Sequence, residues 1–337
     1  MGGGFVVDSV KIGMISFAHP HAFSYAQAVK ATPGAELVAV ADHESGVAAS
    51  VAEQYGAAPF TDYQDLLKQE LDAVIICSEN ARHAELVMAA AQAGKHVMCE
   101  KPIATTVADG WKMIDACRER GVKLQTAFPV RYNPPVRRAK ELIDSGRLGR
   151  ILAVQGTNRG QNPGRWFVKR EFSGGGAVMD HTVHVVDVLR WCLRSEVRSV
   201  YAEIDSRFGA TDIDDCGLLM LEFENGVMAS HDPSWSRCKS FPTWGDVTLE
   251  IIGTEGVTRV DATAQHLLLY DDATGRHTFE PWGDNFDLGL VGDFVACVRD
   301  DRAPSITGED GLRAMEVALA AYESARTGQP VTLARTR

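Results

Sequence analysis

Residues 72–100 read DAVIICSENARHAELVMAAAQAGKHVMCE. Asp72–Cys77 is of strand length, and from Ala73 it is an unbroken apolar run bounded by polar residues. Ala81–Ala93 is an Ala-rich helical pattern closed by Gly94, and His96–Cys99 is a second short strand. Strand, helix and strand with connections this short form a βαβ unit, whose two strands lie parallel.

The alternation extends in both directions. Val10–Ser16, Leu37–Ala41 and Lys123–Ala127 are strand-like. Phe23–Ala31, Val47–Tyr55 and Val107–Arg120 are helical, closed by Pro33-Gly34, Gly56 and Gly121. The expected product is a parallel sheet with helices on both faces. Ligands of such sheets sit at the carboxyl ends of the strands. The residues to watch are therefore Ser16 to His21, Asp42, Ser78 to Asn80, and Glu100-Lys101-Pro102.

Near residue 128 the segment FPVRYNPP breaks the pattern. A helix follows (137–145), then a strand (151–157), a glycine cluster (174–176) and a helix (178–193). From about residue 197 the chain reads as successive strands with hairpin turns such as Glu224-Asn225-Gly226, and it closes with two helices (287–299 and 309–327). The expected fold class is α/β. Residues 1–128 form a dinucleotide-binding Rossmann domain. Residues 129–337 form an α+β domain with a mainly antiparallel open sheet.

Composition narrows the function. The chain has 337 residues, of which 45% are apolar and 23% charged, a globular balance. With 34 Lys and Arg against 45 Asp and Glu, the net charge is −11, which argues against nucleic acid or an anionic membrane as partner. Apolar runs break far short of the ~20 residues a membrane helix needs. The start, MGGGFVVDSVK, lacks the charged and apolar regions of a secretory signal. Seven cysteines without CxxC spacing fit a reduced, cytoplasmic protein.

A dinucleotide loop ordinarily carries G-x-G-x-x-G between the first strand and helix. Here it reads Ser16-Phe17-Ala18-His19-Pro20-His21, and Gly13 lies inside the strand. Ser16 and Ala18 are small enough for a phosphate to approach, and the helix N-terminus still offers N–H groups. Asp42, ending the second strand, is placed to hold ribose hydroxyls and to repel a 2′-phosphate, which favours NAD over NADP; the alternative is a helix cap. His19 and His21 are expected to donate to phosphate or backbone. The competing reading makes them half of a metal site completed by His181 and His184, but no Cys/His spacing supports it and no metal is expected.

ICSENARHAELVMAAAQAGKHVMCEKPIATT (76–106) resembles the glucose–fructose oxidoreductase / inositol dehydrogenase / MocA (Gfo/Idh/MocA) family, with its T/S-P-N-x-x-H and A-G-K-H-V-x-x-E-K-P segments. Glu79 stands where the family has proline; Ser78, Asn80, His83 and Gly94 to Pro102 agree. Gly174–Trp191, GGGAVMDHTVHVVDVLRW, resembles the family's G-G-G-x-x-x-D-x-G-x-H-x-x-D. Two departures are the glycine-poor loop and Thr182 in place of glycine, with His181 beside it.

The resemblance implies an NAD(P)-dependent oxidoreductase that moves a hydride between nicotinamide and a hydroxyl-bearing carbon of a sugar, cyclitol or related polyol. It implies a catalytic set of Lys101, Asp180 and His184, with His184 or Lys101 as acid/base. Asp180 and His184 are spaced i, i+4 on one helix, so they share a face. The cofactor residues expected are Ser16, Ala18, His19, His21, Asp42, Ser78, Asn80, His83, Glu100 and Lys101. Arg131, Trp166, His181 and Trp235 are the expected substrate contacts, because aromatic faces with hydrogen-bonding neighbours suit polyhydroxylated ligands. Trp244 and Trp282 share that setting; Trp191 fits a buried helix face. A homodimer or homotetramer built on a sheet face is implied too. The rivals are a redox-assisted glycosidase or lyase with retained NAD, and a non-catalytic nucleotide or sugar sensor.

Overall fold

The computed structural model describes residues 9–209, 213–264, 266–273, 275–281 and 285–334. The chain's first eight residues, Trp282 and Asp284 lie outside them. Two compact units emerge: Met1–Pro129 with Asp287–Leu312, and Val130–Phe286 with Arg313–Arg337. The first unit thus takes back a late segment that the sequence reading had left in the second domain.

In the first unit the order is β1 (Val10–Ile15), α1 (His21–Ala31), β2 (Ala35–Ala41), α2 (Ser45–Tyr55), β3 (Ala58–Phe60), α3 (Tyr63–Leu67), β4 (Ala73–Ile76), α4 (His83–Gln92), β5 (His96–Glu100), α5 (Val107–Glu119) and β6 (Leu124–Ala127). The six strands are parallel in the order β3-β2-β1-β4-β5-β6, the doubly wound dinucleotide-binding arrangement. The central strands read as continuous apolar runs because helices cover both faces; Ala73, Val74, Ile75 and Ile76 are fully buried. Gly13 has a packing reason: a Cβ there would stand 2.7 Å from Leu71 and 2.9 Å from Leu66. The returning segment is pinned to β6, where Gln125 Nε2 donates to Leu290 O at 3.2 Å and Thr126 Oγ1 to Thr307 O at 3.1 Å.

The second unit begins with α6 (Pro134–Asp144), β7 (Ile151–Gly160), α7 (Arg170–Ser173) and α8 (Ala177–Leu193). It continues with β8 (Val197–Asp205), β9 (Cys216–Phe223), β10 (Met228–Asp232), β11 (Gly245–Gly253), β12 (Val257–Asp261) and the hairpin β13 (His266–Asp271) and β14 (Arg276–Pro281). The helices α9 (Phe286–Arg299) and α10 (Gly308–Thr327) follow, then β15 (Val331–Thr332). Seven strands form one sheet, β12-β11-β7-β10-β9-β8-β15, antiparallel except for the β7–β10 pair. The strands alternate. Leu219, Leu221, Phe223, Ala229, Val247, Leu249 and Ile251 are buried. Their neighbours Leu218, Met220 and Met228 on the other face are 57%, 42% and 46% exposed.

Glycines let α8 settle close to its surroundings. A Cβ on Gly156 would stand 3.0 Å from Val185, and one on Gly160 would stand 2.7 Å from His181. The cluster before α8 is explained by close backbone approach: a Cβ on Gly176 would collide with Asp214 O, and one on Gly175 with the Tyr322 hydroxyl. Asp214 accepts from the Gly176 and Val178 amides at 2.9 Å each, which satisfies free N–H groups at the start of α8. The Asp180 carboxylate, one turn into α8, has other partners.

Candidate active site

The glycine-poor loop makes the turn that glycines usually make. Ser16, at the first glycine's place, sits at φ +68°, a left-handed conformation that is uncommon for a residue with a side chain. The turn is over-determined, as such strain requires. Ser16 N–H donates to Ala41 O at 2.7 Å, Ala18 N–H to Ser16 Oγ at 3.3 Å, and His19 N–H to Cys77 O at 3.0 Å. Phe17 N–H donates to Asp42 Oδ2 at 2.7 Å, while Asp42 Oδ1 accepts from Glu44 N–H at 2.9 Å. Asp42 is not the cap of α2, whose N-cap is Glu44, although its carboxylate accepts from the Glu44 amide. It ties the loop and the start of α2, and it also lines a cavity of about 300 Å³ with Ser16, His43, Thr61, Asp62, Tyr63 and Arg82. An acid at the end of β2 opening on such a cavity fits the adenosine end of a dinucleotide. Thr61, Tyr63 and Arg82 were not singled out in the sequence, because no motif there marks them.

At the carboxyl end of β5, Lys101 is 4% exposed and Glu100 is fully buried. The Lys101–Pro102 peptide is cis. Glu100 Oε1 accepts from the Lys101 amide at 2.9 Å, and its Oε2 lies 3.3 Å from His21 Nδ1. The His19 and His21 rings stand 4.3 Å apart edge to face, and His21 N–H meets His19 Nδ1 at 3.2 Å. Burial opposes the Glu100 charge, but the nearby His19 and His21 outweigh it and hold the carboxyl well below its ordinary range. Desolvation likewise works against His21, and the Glu100 charge and hydrogen bond more than restore its basicity. One ring nitrogen of each histidine and one Glu100 oxygen lie within 4.8 Å of one another.

His83 has another place than a cofactor contact. It is fully buried, with Nδ1 2.9 Å from Pro102 O and Nε2 3.2 Å from Ser78 O, so it braces the loops after β4 and β5. Burial lowers its basicity, against the opposing pull of the Pro102 and Ser78 carbonyls. Ser78 Oγ donates to Glu79 O at 3.1 Å, and Asn80 is buried at the start of a short turn before α4.

In the second unit Asp180, His181 and His184 occupy α8. Trp235 Nε1 donates to Asp180 Oδ2 at 3.2 Å, and His181 Nε2 lies 3.3 Å from the same oxygen. The Trp235 ring is edge to face with His181, 6.5 Å between centroids. Trp235 is 2% exposed and belongs to a small core with Phe167, Ala177 and Ile213, against which Trp166 packs. Trp166 itself stacks on Phe167 at 3.9 Å. His184 is 8% exposed on the same helix. Arg131 departs from expectation: its guanidinium is buried and grips Asp187 with Nε at 2.7 Å and a second nitrogen at 2.6 Å. It joins α8 to the segment before α6, and the same guanidinium lies 5.8 Å from the Trp191 ring.

Comparison with known proteins places this geometry. Residues 10–128 match the family model described as the oxidoreductase family with an NAD-binding Rossmann fold, and residues 136–259 match the GFO/IDH/MocA C-terminal domain. The chain belongs to the Gfo/Idh/MocA family. It is accordingly an oxidoreductase of that family with an NAD-binding Rossmann domain. It is 30% identical to the scyllo-inositol 2-dehydrogenase (NAD(+)) of Bacillus subtilis, over 90% of this chain and 91% of that one. It is 31% identical to inositol 2-dehydrogenase 3 of Saccharopolyspora erythraea, over 97% and 96%. Among solved structures it resembles GenD2 from gentamicin A biosynthesis, in complex with NAD, with a TM-score of 0.90, 26% identity and 99% of both chains covered. Among the described residues no helix is long and apolar enough to cross a membrane.

Proposed function

We propose that this chain is an NAD-dependent dehydrogenase acting on a secondary hydroxyl of a cyclitol or sugar. The observation that carries this reading is the place of Lys101. It is a nearly buried side chain at the carboxyl end of β5, the same end of the parallel sheet at which the loop after β1 makes the dinucleotide turn. The residues fit the cofactor: the Ser16 turn opens the loop, and the Asp42 carboxylate lines a cavity for the ribose. Bound there, the nicotinamide supplies or accepts the hydride.

Lys101 hydrogen-bonds the reacting oxygen and stabilises developing alkoxide charge. His184 takes and returns the hydroxyl proton, since an imidazole titrates near neutrality. Asp180 orients the substrate hydroxyls. His181 and Trp166 contribute to the substrate wall, while Trp235 serves by holding Asp180. Arg131, already paired with Asp187, is left out of that wall. The two inositol dehydrogenases to which the chain is similar support the substrate class.

The outward face of the second unit's sheet, with Leu218, Met220, Met228 and Val257 exposed, supports a homo-oligomer interface. Cys77, Cys99, Cys117, Cys192 and Cys297, buried and unpaired, support a cytoplasmic setting. The test is reduced-nicotinamide formation from NAD or NADP across a panel of inositol isomers and aldoses. Turnover of a polyol with NAD is the expected result; no turnover of any panel member with either cofactor would contradict the reading.

A further inference from the structure

The dinucleotide loop carries His19-Pro20-His21. His19 and His21 come from the loop and first turn after β1, and Glu100 from the end of β5. The sheet order β1-β4-β5 converges their side chains at one edge of the first unit. We propose that His19, His21 and Glu100 form a binding site for a divalent transition-metal ion of the zinc class, with one coordination position left open.

The donor set and its spacing support the site first. Two imidazoles and one carboxylate are a familiar zinc donor set, and three protein ligands leave a tetrahedral ion its fourth position. Ligands at zinc bond lengths in a tetrahedron stand about 3.3 Å apart, and His21 Nδ1 and Glu100 Oε2 are 3.3 Å apart. All three ligand atoms lie within 4.8 Å, so closure on an ion needs side-chain adjustment only.

The ligands are also held from behind. Glu100 Oε1 accepts from the Lys101 amide at 2.9 Å, which leaves Oε2 for the ion. The His21 amide orients the His19 ring. Pro20 caps α1 and fixes the backbone between the two histidines.

The charge balance also suits a dication. Glu100 is fully buried, and Asp287, bonded to Ser24 Oγ, is close enough to act electrostatically on His21. Lys101, which acts electrostatically on both Glu100 and His21, supplies only one positive charge against these two carboxylates. Access exists, because the His21 side chain is 37% exposed. The competing reading of the sequence completes a site on His19 and His21 with His181 and His184; in the structure His181 is instead the partner of Asp180.

The full-length chain, stripped with chelator and free of NAD, is titrated with zinc chloride by calorimetry and with cobalt chloride by visible absorption. The expected result is one equivalent bound, a tetrahedral cobalt spectrum, and a zinc-dependent rise in the wild-type melting temperature. His21→Ala and Glu100→Gln, checked for folding by circular dichroism, each weaken zinc on the order of 100-fold, whereas Cys238→Ser leaves the equivalent in place. No stoichiometric zinc in the wild type would overturn the site and leave a His21–Glu100 ion pair in its stead. Undiminished binding in both ligand variants would overturn it as well. Because no nicotinamide is present, either result is independent of the dehydrogenase reading.

Discussion

The indole N–H of Trp235 donates to Asp180 Oδ2 at 3.2 Å, across 55 residues of sequence. This bond holds the carboxylate on the first turn of α8, and it takes up the donor that would make Trp235 a sugar contact. Trp235→Phe keeps the packing and removes the bond. A hydrogen bond to a charged group contributes roughly 1.5–3 kcal/mol, so kcat should fall about tenfold or more. The NAD dissociation constant should not change, because the Rossmann unit is untouched. Steady-state kinetics with calorimetry would check both; an unchanged kcat would return Trp235 to a purely structural role.

Asp42 ties the loop after β1, and in the proposed function it also holds the ribose; substitution separates the two. Asp42→Ala removes the acceptor of the Phe17 and Glu44 amides, which should cost about 1–2 kcal/mol of stability. It should also weaken NAD by about tenfold while weakening NADP less, because the carboxylate repels a 2′-phosphate. Equal losses for the two cofactors, read by calorimetry, would reduce Asp42 to a loop tie.

His231 gives the second unit an acid limit. It is fully buried with Nδ1 3.4 Å from Gly156 O. Burial pulls its pKa from 6.5 down to about 3; the Gly156 carbonyl and Asp232 oppose the shift, and His181 adds to it. The unfolded chain therefore binds this proton more readily. The stability that the neutral ring contributes is complete above about pH 6.5 and is lost as pH falls toward 3. Urea midpoints measured from pH 7.5 to pH 4 should decline, with a shallower slope in His231→Phe. Equal slopes would assign the acid sensitivity to other groups.

The outward sheet face should control assembly. Met220→Glu places a charge amid Leu218, Met228 and Tyr201 without touching the buried face of β9. Light scattering should show a multiple of the 36.6 kDa chain mass for the wild type and a smaller species for the variant. An unchanged mass in the variant would move the interface elsewhere.

Much of the Rossmann unit was legible because most of its strands and helices announce themselves locally, through buried apolar runs such as Ala73–Cys77 and helices closed by glycines at 56, 94 and 121; the short β3 and α3 carry no such signal. The turn after β1 was harder to read. Ser16 adopts a glycine's conformation because Ala41, Asp42 and Cys77, distant in sequence, hold the loop. Partnerships across sequence were not legible. Glu100 is 79 residues from His21, and Arg131 is 56 from Asp187. Only the strand order and the packing of α8 decide such pairs. The same holds for the segment Asp287–Leu312, whose helical pattern shows its type but not the unit it joins.

The central claim is that Lys101, at the end of β5, stabilises charge on the reacting oxygen. The most direct measurement is kcat of Lys101→Ala for reduced-nicotinamide formation with the best polyol substrate, set beside its NAD dissociation constant. The account predicts a loss of ~100-fold or more in kcat with NAD affinity largely retained. Wild-type turnover in Lys101→Ala would contradict it.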